Sequence, residues 1–478
     1  MSMIAEGLAY FGRFGVDEGL LRAALERALS GGGDYAELYF EHRVAHEVGL
    51  EDGAVNRAFL HVSLGVGVRV LKGDQTGYAY TEELTRDRVC EAAATAAVVA
   101  SGPASPAPRA FEVRGRPDRY PVKVDFEGVD IARKMPILSE INGLAFARDP
   151  SVNKVTVGYA DSDGALFVVD STGHVAFDRQ PMARLTVGCV AERGGRRESN
   201  HHNLAGREGF EFFTPERIRK VAHDAVDRTV FCFDASTAPA GEMPVVLAAG
   251  SAGILLHEAI GHGMEADFNR KGVSVYSDKL GKRIAGDEIT IVDDGTQPHA
   301  RGAINVDDEG IEGQRTVLVE GGVLRSYMHD RISAKHYGVE PTGNGRRQSF
   351  RDPPLPRMRS TYMMPGSVPP EDIVKSVKHG VYAETFTNGQ VMIGAGDFTF
   401  YIKTGYLIED GRLTRPIKDT NIIGNGPQCL ERTDLVGTDF KIDEGGWTCG
   451  KDGQSVPVSI GMPTVRVSAI TVGGVNKG

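Results

Sequence analysis

The chain has 478 residues, of which 41% are apolar and 25% charged, and a formal net charge of −10. One hydrophobic core serves at most roughly 250 to 300 residues, so two large domains are expected, and the ordinary apolar content excludes a disordered chain. The acidic balance argues against a nucleic-acid partner, because phosphate binding needs a basic face.

Sixty glycines without a collagen-like period point to many turns and hence many strands. The opening MSMIAEGLAYFGRFG has no charged n-region followed by an apolar stretch, and no run approaches the roughly 18 apolar residues of a spanning helix. No membrane segment and a cytoplasmic location are therefore expected. Cys90, Cys189, Cys232, Cys429 and Cys449 are odd in number and scattered, which suits reduced thiols better than a disulfide framework.

Residues 17–30 read as an amphipathic helix capped by Asp17, with Leu20, Leu21, Ala24, Leu25, Ala28 and Leu29 on one face and Gly31 ending it. Val62 to Val70 alternates with period two, which predicts a strand with one buried face. An Ala-rich helix follows Thr85, and the Pro-rich SGPASPAPRAF interrupts any regular element. A similar order then recurs: a helix near 130–147, a meander from Lys154 to Glu192 turning at Asp163-Gly164 and at Ser171-Thr172-Gly173, and a helix opened by Thr214-Pro215. The segment CFDASTAPAGEMP has linker composition and sets a boundary between residues 1–235 and 236–478. Beyond it, short strands are expected, with hairpin signals at Gly321-Gly322 and Asp410-Gly411.

The chemistry gathers in GSAGILLHEAIGHGMEAD, which can form a helix from Ser251 to about Ala266. At about 100° per residue, Glu258 falls between His257 and His262 on one side of that helix. Two imidazoles and a carboxylate beside Ile254, Leu255 and Ile260 need a compensating partner if buried, and a divalent metal supplies one. The familiar zinc helix is H-E-x-x-H, whereas here the spacing is H-E-x-x-x-H. In a regular helix an i, i+5 pair diverges by about 140°, so the reading predicts a distorted helix at Gly261, widened into a π-type turn or ended there. A catalytic zinc usually has three protein ligands and one open position, so a third ligand is required. Glu265, Asp267, His329, His336 and Cys449 are candidates, and spacing does not choose among them. The segment from Gly343 to Arg359 carries five arginines against one acid, and Arg346, Arg347 and His329 are candidate substrate contacts, for a peptide carboxylate or an oxyanion.

The stretches GEMPVVLAAGSAGILLHEAIGHGMEAD, GNGRRQSFRDPPLPRMRSTYM, GDFTFYIKTGYLIEDGRL and WTCGKDGQSVPVSIGMPTVRV, together with DYAELYFE near the N-terminus, resemble the TldD/PmbA family of metallopeptidases, in particular its metal-bearing TldD type. The resemblance spans nearly the whole chain. It implies an α+β protein with an N-terminal α/β-type domain, helices packed on mixed sheets, and a β-rich C-terminal domain carrying the metal-site helix. It also implies a zinc ion on His257, His262 and Cys449, with Glu258 as general base, and hydrolysis of peptide bonds in short or unfolded peptides. Assembly would be as a homodimer or as a heterodimer with a PmbA-type subunit. The competing readings are a non-catalytic modulator or binding protein with a structural metal, and a metalloamidase acting on small molecules.

Overall fold

A computed structural model describes residues 2–474. Its N-terminal half is organised by one six-stranded sheet of β1 (Tyr35–Glu51), β2 (Ala54–Lys72), β3 (Gln75–Thr81), β4 (Val152–Asp170), β5 (Val175–Arg193) and β6 (Arg196–Gly206). The spatial order is β3-β2-β1-β4-β5-β6, and every pairing is antiparallel. Its helices are α1 (Met3–Phe11), α2 (Glu18–Leu29), α3 (Arg86–Ala96), α4 (Ile131–Arg148) and α5 (Pro215–Phe231). The order helix, three strands, helix therefore occurs twice, as α2-β1-β2-β3-α3 and α4-β4-β5-β6-α5, and β1 meets β4 at the centre of the sheet.

Local signals account for these elements. Asp17 caps α2 by accepting from the Leu20 amide at 2.7 Å, and the six apolar residues of the expected face are the buried ones. Thr214 caps α5 through the Arg217 amide, with Pro215 at the first helical position. Asp163-Gly164 is not a turn. Both residues lie inside β4, where Gly164 is paired with Arg43 on one side and Gln180 on the other, so neighbouring strands override the local turn preference. The other expected turn, at Ser171-Thr172-Gly173, is present between β4 and β5.

One face of the sheet carries the helices. Ala36, Leu38 and Phe40 of β1 and Val66, Val68 and Val70 of β2 bury against α1, α2 and α3, while Val48 and Leu50 join a second core under α4 and α5. The strand expected from Val62 to Val70 is present, but its burial does not alternate: Gly65, Gly67 and Arg69 are buried too, while Val62 is exposed. The C-terminal half of the molecule covers that opposite face. A Cβ on Gly65 would overlap the Phe350 ring, and one on Gly67 would meet the Phe350 carbonyl.

The C-terminal half contains two further six-stranded sheets with mixed parallel and antiparallel pairings. One is centred on Ile291–Asp294, Ser360–Met363 and Ser459–Met462, the other on His379–Met392, Gly241–Leu247 and Val465–Gly474. Hairpins turn at Gly321-Gly322 and at Asp410-Gly411, where Asp410 and Gly411 both take positive φ. The helix bearing His257 packs against strands of both sheets and lies in the largest core. No helix of the described residues is long and apolar enough to cross a membrane, and all five cysteines are free.

Candidate metal centre

The site begins with a change of helical pitch. Gly253–Leu256 is α-helical, His257–Gly261 is a π turn, and His262–Met264 is a 3-10 turn. The π turn removes most of the divergence an i, i+5 pair would have in an α-helix. The His257 and His262 rings stand 5.1 Å apart at 80°. Ser251 does not cap this helix; its hydroxyl donates to the Glu384 carbonyl and the first helical turn starts at Gly253. Three glycines let the helix sit deep: added Cβ atoms would meet the Gly461 backbone at Gly253, the Met358 sulfur at Gly261 and the Tyr276 ring at Gly263. Gly261 itself has ordinary right-handed helical angles, so close packing, not special backbone freedom, calls for glycine there.

Cys449 comes from the hairpin formed by Thr448–Lys451 and Gln454–Pro457, in which it pairs with Val456. Its sulfur lies 3.4 Å from His262 Nε2, and ligand atoms of His257, His262 and Cys449 all fall within 4.8 Å of one another. All three residues are buried. In a tetrahedral zinc site with ordinary bond lengths, nitrogen and sulfur ligands stand about 3.5 Å apart, so the His262–Cys449 separation already suits a shared cation. The buried Nδ1 of His257 has no hydrogen-bond partner, a second sign that the cluster is incomplete as protein alone. Two imidazoles and a thiol fit a zinc-type ion by geometry and donor chemistry.

Charged neighbours fix the protons. His262 Nδ1 is 3.0 Å from Glu265 Oε2, which places the ring proton there and turns Nε2 toward Cys449. Burial alone would lower the His262 pKa, but Glu265 and Cys449 outweigh it and hold it well above the usual imidazole value. Burial likewise opposes ionisation of Cys449, yet the two imidazoles pull its thiol well below the ordinary range, which favours the metal-binding thiolate. Glu265, fully buried, is brought down to about 2 against the cost of burial by Lys451 and His262. Lys451 Nζ bonds both Glu265, at 3.1 Å, and Asp267, at 2.7 Å. Arg357 donates to the Cys449 carbonyl at 2.7 Å and so ties down the hairpin.

Of the candidate third ligands, Cys449 is brought to the histidines, while Glu265 and Asp267 are engaged as described. His329 lies outside the cluster, buried beside Tyr327 and Tyr337, with its imidazole lowered by burial to about 4. Arg346 and Arg347 are buried behind the cysteine hairpin: Arg346 donates to the carbonyls of Met358 and Pro457, and Arg347 pairs with Glu37. Glu258 stands apart from the ligands, its carboxylate 3.9 Å from His262 Nε2 and its side chain 21% exposed. A cavity of about 200 Å³ is lined by Ser251, Thr385, Trp447 and Thr448, the last adjoining Cys449 in sequence. Sequence reasoning missed Lys451, and it placed Arg357 in an arginine-rich segment without its role at the cysteine hairpin. A signal existed for Lys451, since residues two apart on a strand share a face, and Cys449 and Lys451 stand in that relation.

Comparison with known proteins identifies the family of the chain. Residues 36–100, 124–230 and 240–474 match, in turn, domain 1, the central domain and the C-terminal domain of the PmbA/TldA metallopeptidases. The chain is 39% identical to a metalloprotease TldD homolog of Haemophilus influenzae over 93% of both chains. It is 29% identical to a zinc metalloprotease TldD homolog of Saccharolobus solfataricus over 94% of this chain and 99% of that one. Among solved structures, TldE of Thermococcus kodakarensis superposes with a TM-score of 0.74 at 20% identity, over 96% of this chain and 99% of that one. A Thermotoga maritima protein named as a candidate modulator of DNA gyrase does so with 0.75 at 21%, over 98% and 99%. Those two likenesses speak to the fold alone. The curated relatives and the matched domains together establish that the chain belongs to the TldD/PmbA metallopeptidase family, and within it to the TldD type.

Proposed function

We propose that this protein is a zinc-dependent metallopeptidase that hydrolyses peptide bonds in short or unfolded peptides. The observation that carries the reading is the convergence of His257, His262 and Cys449, the last from 187 residues beyond His262, around a point that Glu258 borders without joining. Structural zinc sites close with four protein ligands, whereas catalytic ones keep a position open. Among the described residues three ligands gather here, which favours the catalytic kind. A zinc ion held by these three residues would supply Lewis acidity at the scissile carbonyl.

The chain's own groups do the rest. Glu265 holds His262 in one tautomer, and Arg357 holds the backbone of Cys449, so the two ligands keep their mutual placement when substrate arrives. Glu258, partly open to solvent, takes a proton from the attacking water and returns it to the leaving amine. Exposed strand edges of the C-terminal half would take an extended peptide by strand addition, which favours unfolded over folded substrates. The same reading divides the chain at 235/236, places the protein in the cytoplasm, and has it act as a homodimer or beside a PmbA-type subunit.

The deciding experiment is Glu258→Gln. Loss of a general base lowers turnover by about 10²- to 10⁴-fold. Peptide hydrolysis is therefore expected to collapse while bound zinc, measured by elemental analysis, stays near one per chain. Undiminished hydrolysis would remove Glu258 from the mechanism, and an unaltered zinc content without any peptidase activity in the parent protein would favour a structural metal.

A further inference from the structure

Where the two halves of the chain meet, buried positive charge exceeds the negative charge paired with it. Arg207, Arg346 and Arg359 are 2%, 2% and 3% exposed and line one cavity of about 110 Å³, with Arg43 more exposed on the same lining. None of the four has a carboxylate within ion-pairing distance among the described residues; their partners are neutral oxygens. Arg207 lies over the Tyr120 ring, 5.4 Å from its centroid, and has one long side-chain hydrogen bond, 3.4 Å to Gln180, while its Nε is unpartnered. Arg346 Nε and Arg359 Nη2 are also buried and unpartnered.

The acids on the lining do not close the gap. Asp308 accepts from the Arg347 amide at 2.9 Å and from the Tyr39 hydroxyl, and Glu41 accepts from the Phe350 amide at 2.8 Å. Arg347, a fifth arginine on the lining, is neutralised by Glu37 at 2.6 Å. Arginine does not shed its proton in proteins, so unpaired guanidinium groups remain charged and strongly favour an anion between them. Burial and neighbouring arginines oppose the charged state of Arg346, Arg207 and Arg359, and Asp308, beyond ion-pairing distance, favours it at all three. The far wall is Ser455, Val456 and Pro457, and Val456 is the residue paired with Cys449, so the cavity backs onto the hairpin that carries the third metal ligand.

We propose that this cavity binds a compact oxyanion, a carboxylate or a phosphate, through Arg207, Arg346 and Arg359, with Arg43 completing the positive lining. Its size admits a carboxylate or phosphate group and excludes a folded partner. If the metal centre acts as a peptidase, as proposed above, the carboxylate is a peptide C-terminus; the other source is free inorganic phosphate.

The test uses the full chain with its metal, titrated with inorganic phosphate while its unfolding midpoint is followed against sodium chloride of equal ionic strength. A saturable rise beyond the chloride control is expected. Arg207→Met removes an unpaired buried charge, so its midpoint without phosphate is expected to be no lower than that of the parent, and its phosphate affinity about tenfold weaker. Arg43→Gln, at an exposed position, is expected to weaken binding without touching the buried core, and decides the matter if Arg207→Met does not fold. A response no greater than chloride, or one unchanged in both variants, overturns the proposal. The source is read on Glu258→Gln protein with two labelled peptides differing only in a free or amidated C-terminus. Phosphate-competed binding of the free acid alone assigns the peptide carboxylate, and equal binding of both alongside an intact phosphate response assigns the free ion. Because the phosphate titration needs no hydrolysis, an inactive protein that still responds leaves the cavity standing and removes only the peptidase reading.

Discussion

His262 has two nitrogens and one of them must face the cluster bare. Glu265 settles the matter from behind, because its carboxylate at 3.0 Å accepts from Nδ1 and leaves Nε2 directed at Cys449. Lys451 in turn holds Glu265, and Asp267 holds Lys451, so the chain of charges ends in a second buried acid. Replacing Glu265 by Gln keeps the shape but weakens the hold on the Nδ1 proton. Such outer partners contribute about 10- to 100-fold in metal affinity, and a loss near tenfold is expected, read by competition with a chromogenic chelator. Equal affinity in the two proteins would mean that packing alone orients His262. The histidines and Glu258 were legible in the sequence because they adjoin one another. Cys449 became a specific choice only through resemblance, since nothing in its spacing separated it from His329 or His336, and the role of Glu265 as a partner to a ligand instead of a ligand depended on side-chain direction.

At the scale of elements, the metal helix joins a short α segment to a π turn and a 3-10 turn, and its neighbours are shaped to receive it. Gly253 packs directly against backbone: a Cβ there would stand 2.6 Å from the Gly461 amide nitrogen, in a strand that cannot move without disturbing Ser459–Met462. Gly450, beside Cys449 on the hairpin, has nothing within 4 Å of its Cβ position. Overpacking of a rigid core costs about 1 to 3 kcal/mol. Gly253→Ala is therefore expected to lose stability in that range by calorimetry, whereas Gly450→Ala stays within about 0.5 kcal/mol of the parent; comparable losses in both would show that the helix–strand contact is softer than drawn. The sequence signalled the distortion because five-residue spacing of two histidines conflicts with 3.6 residues per turn. It gave no comparable signal for the length of β1 and β2, which run 17 and 19 residues, since their outer ends lack a clean alternation. Nor could periodicity reveal that Gly65, Gly67 and Arg69 are covered, because the covering residues lie about 280 positions away.

Across the whole molecule, the two halves are joined by an ionic seam as well as by apolar packing. Arg69 of β2 bonds Glu37 of β1 and Glu309 of the C-terminal half at 2.7 and 2.6 Å, and Arg347 returns to Glu37 at 2.6 Å, all of them buried. Glu41, four residues on from Glu37 along β1, accepts from the Phe350 amide, but no ion pair offsets its burial at close range. Burial lifts its pKa from 4.5 to about 7 against the pull of Arg43. The folded protein thus binds a proton at Glu41 that the unfolded chain has already released over that interval. The stability so gained is complete below about pH 4.5 and is lost as pH rises through about 7. Asp307, raised to about 7, and Asp330, raised to about 6, act in the same direction at the same junction. These acids therefore favour a lower unfolding temperature at pH 8 than at pH 5.5, opposed by His329 and His202, whose imidazoles burial lowers to about 4 and about 2. Glu41→Gln keeps an oxygen for the Phe350 amide and removes the titration, so it should come nearest the parent at pH 5.5 and exceed it most at pH 8, by at most on the order of 3 kcal/mol from the size of the shift. Calorimetry of both proteins at the two pH values measures the difference. Because Asp307 and Asp330 still titrate, part of the slope survives in the variant, and only a slope identical to that of the parent would release Glu41 from its part in holding the two halves together.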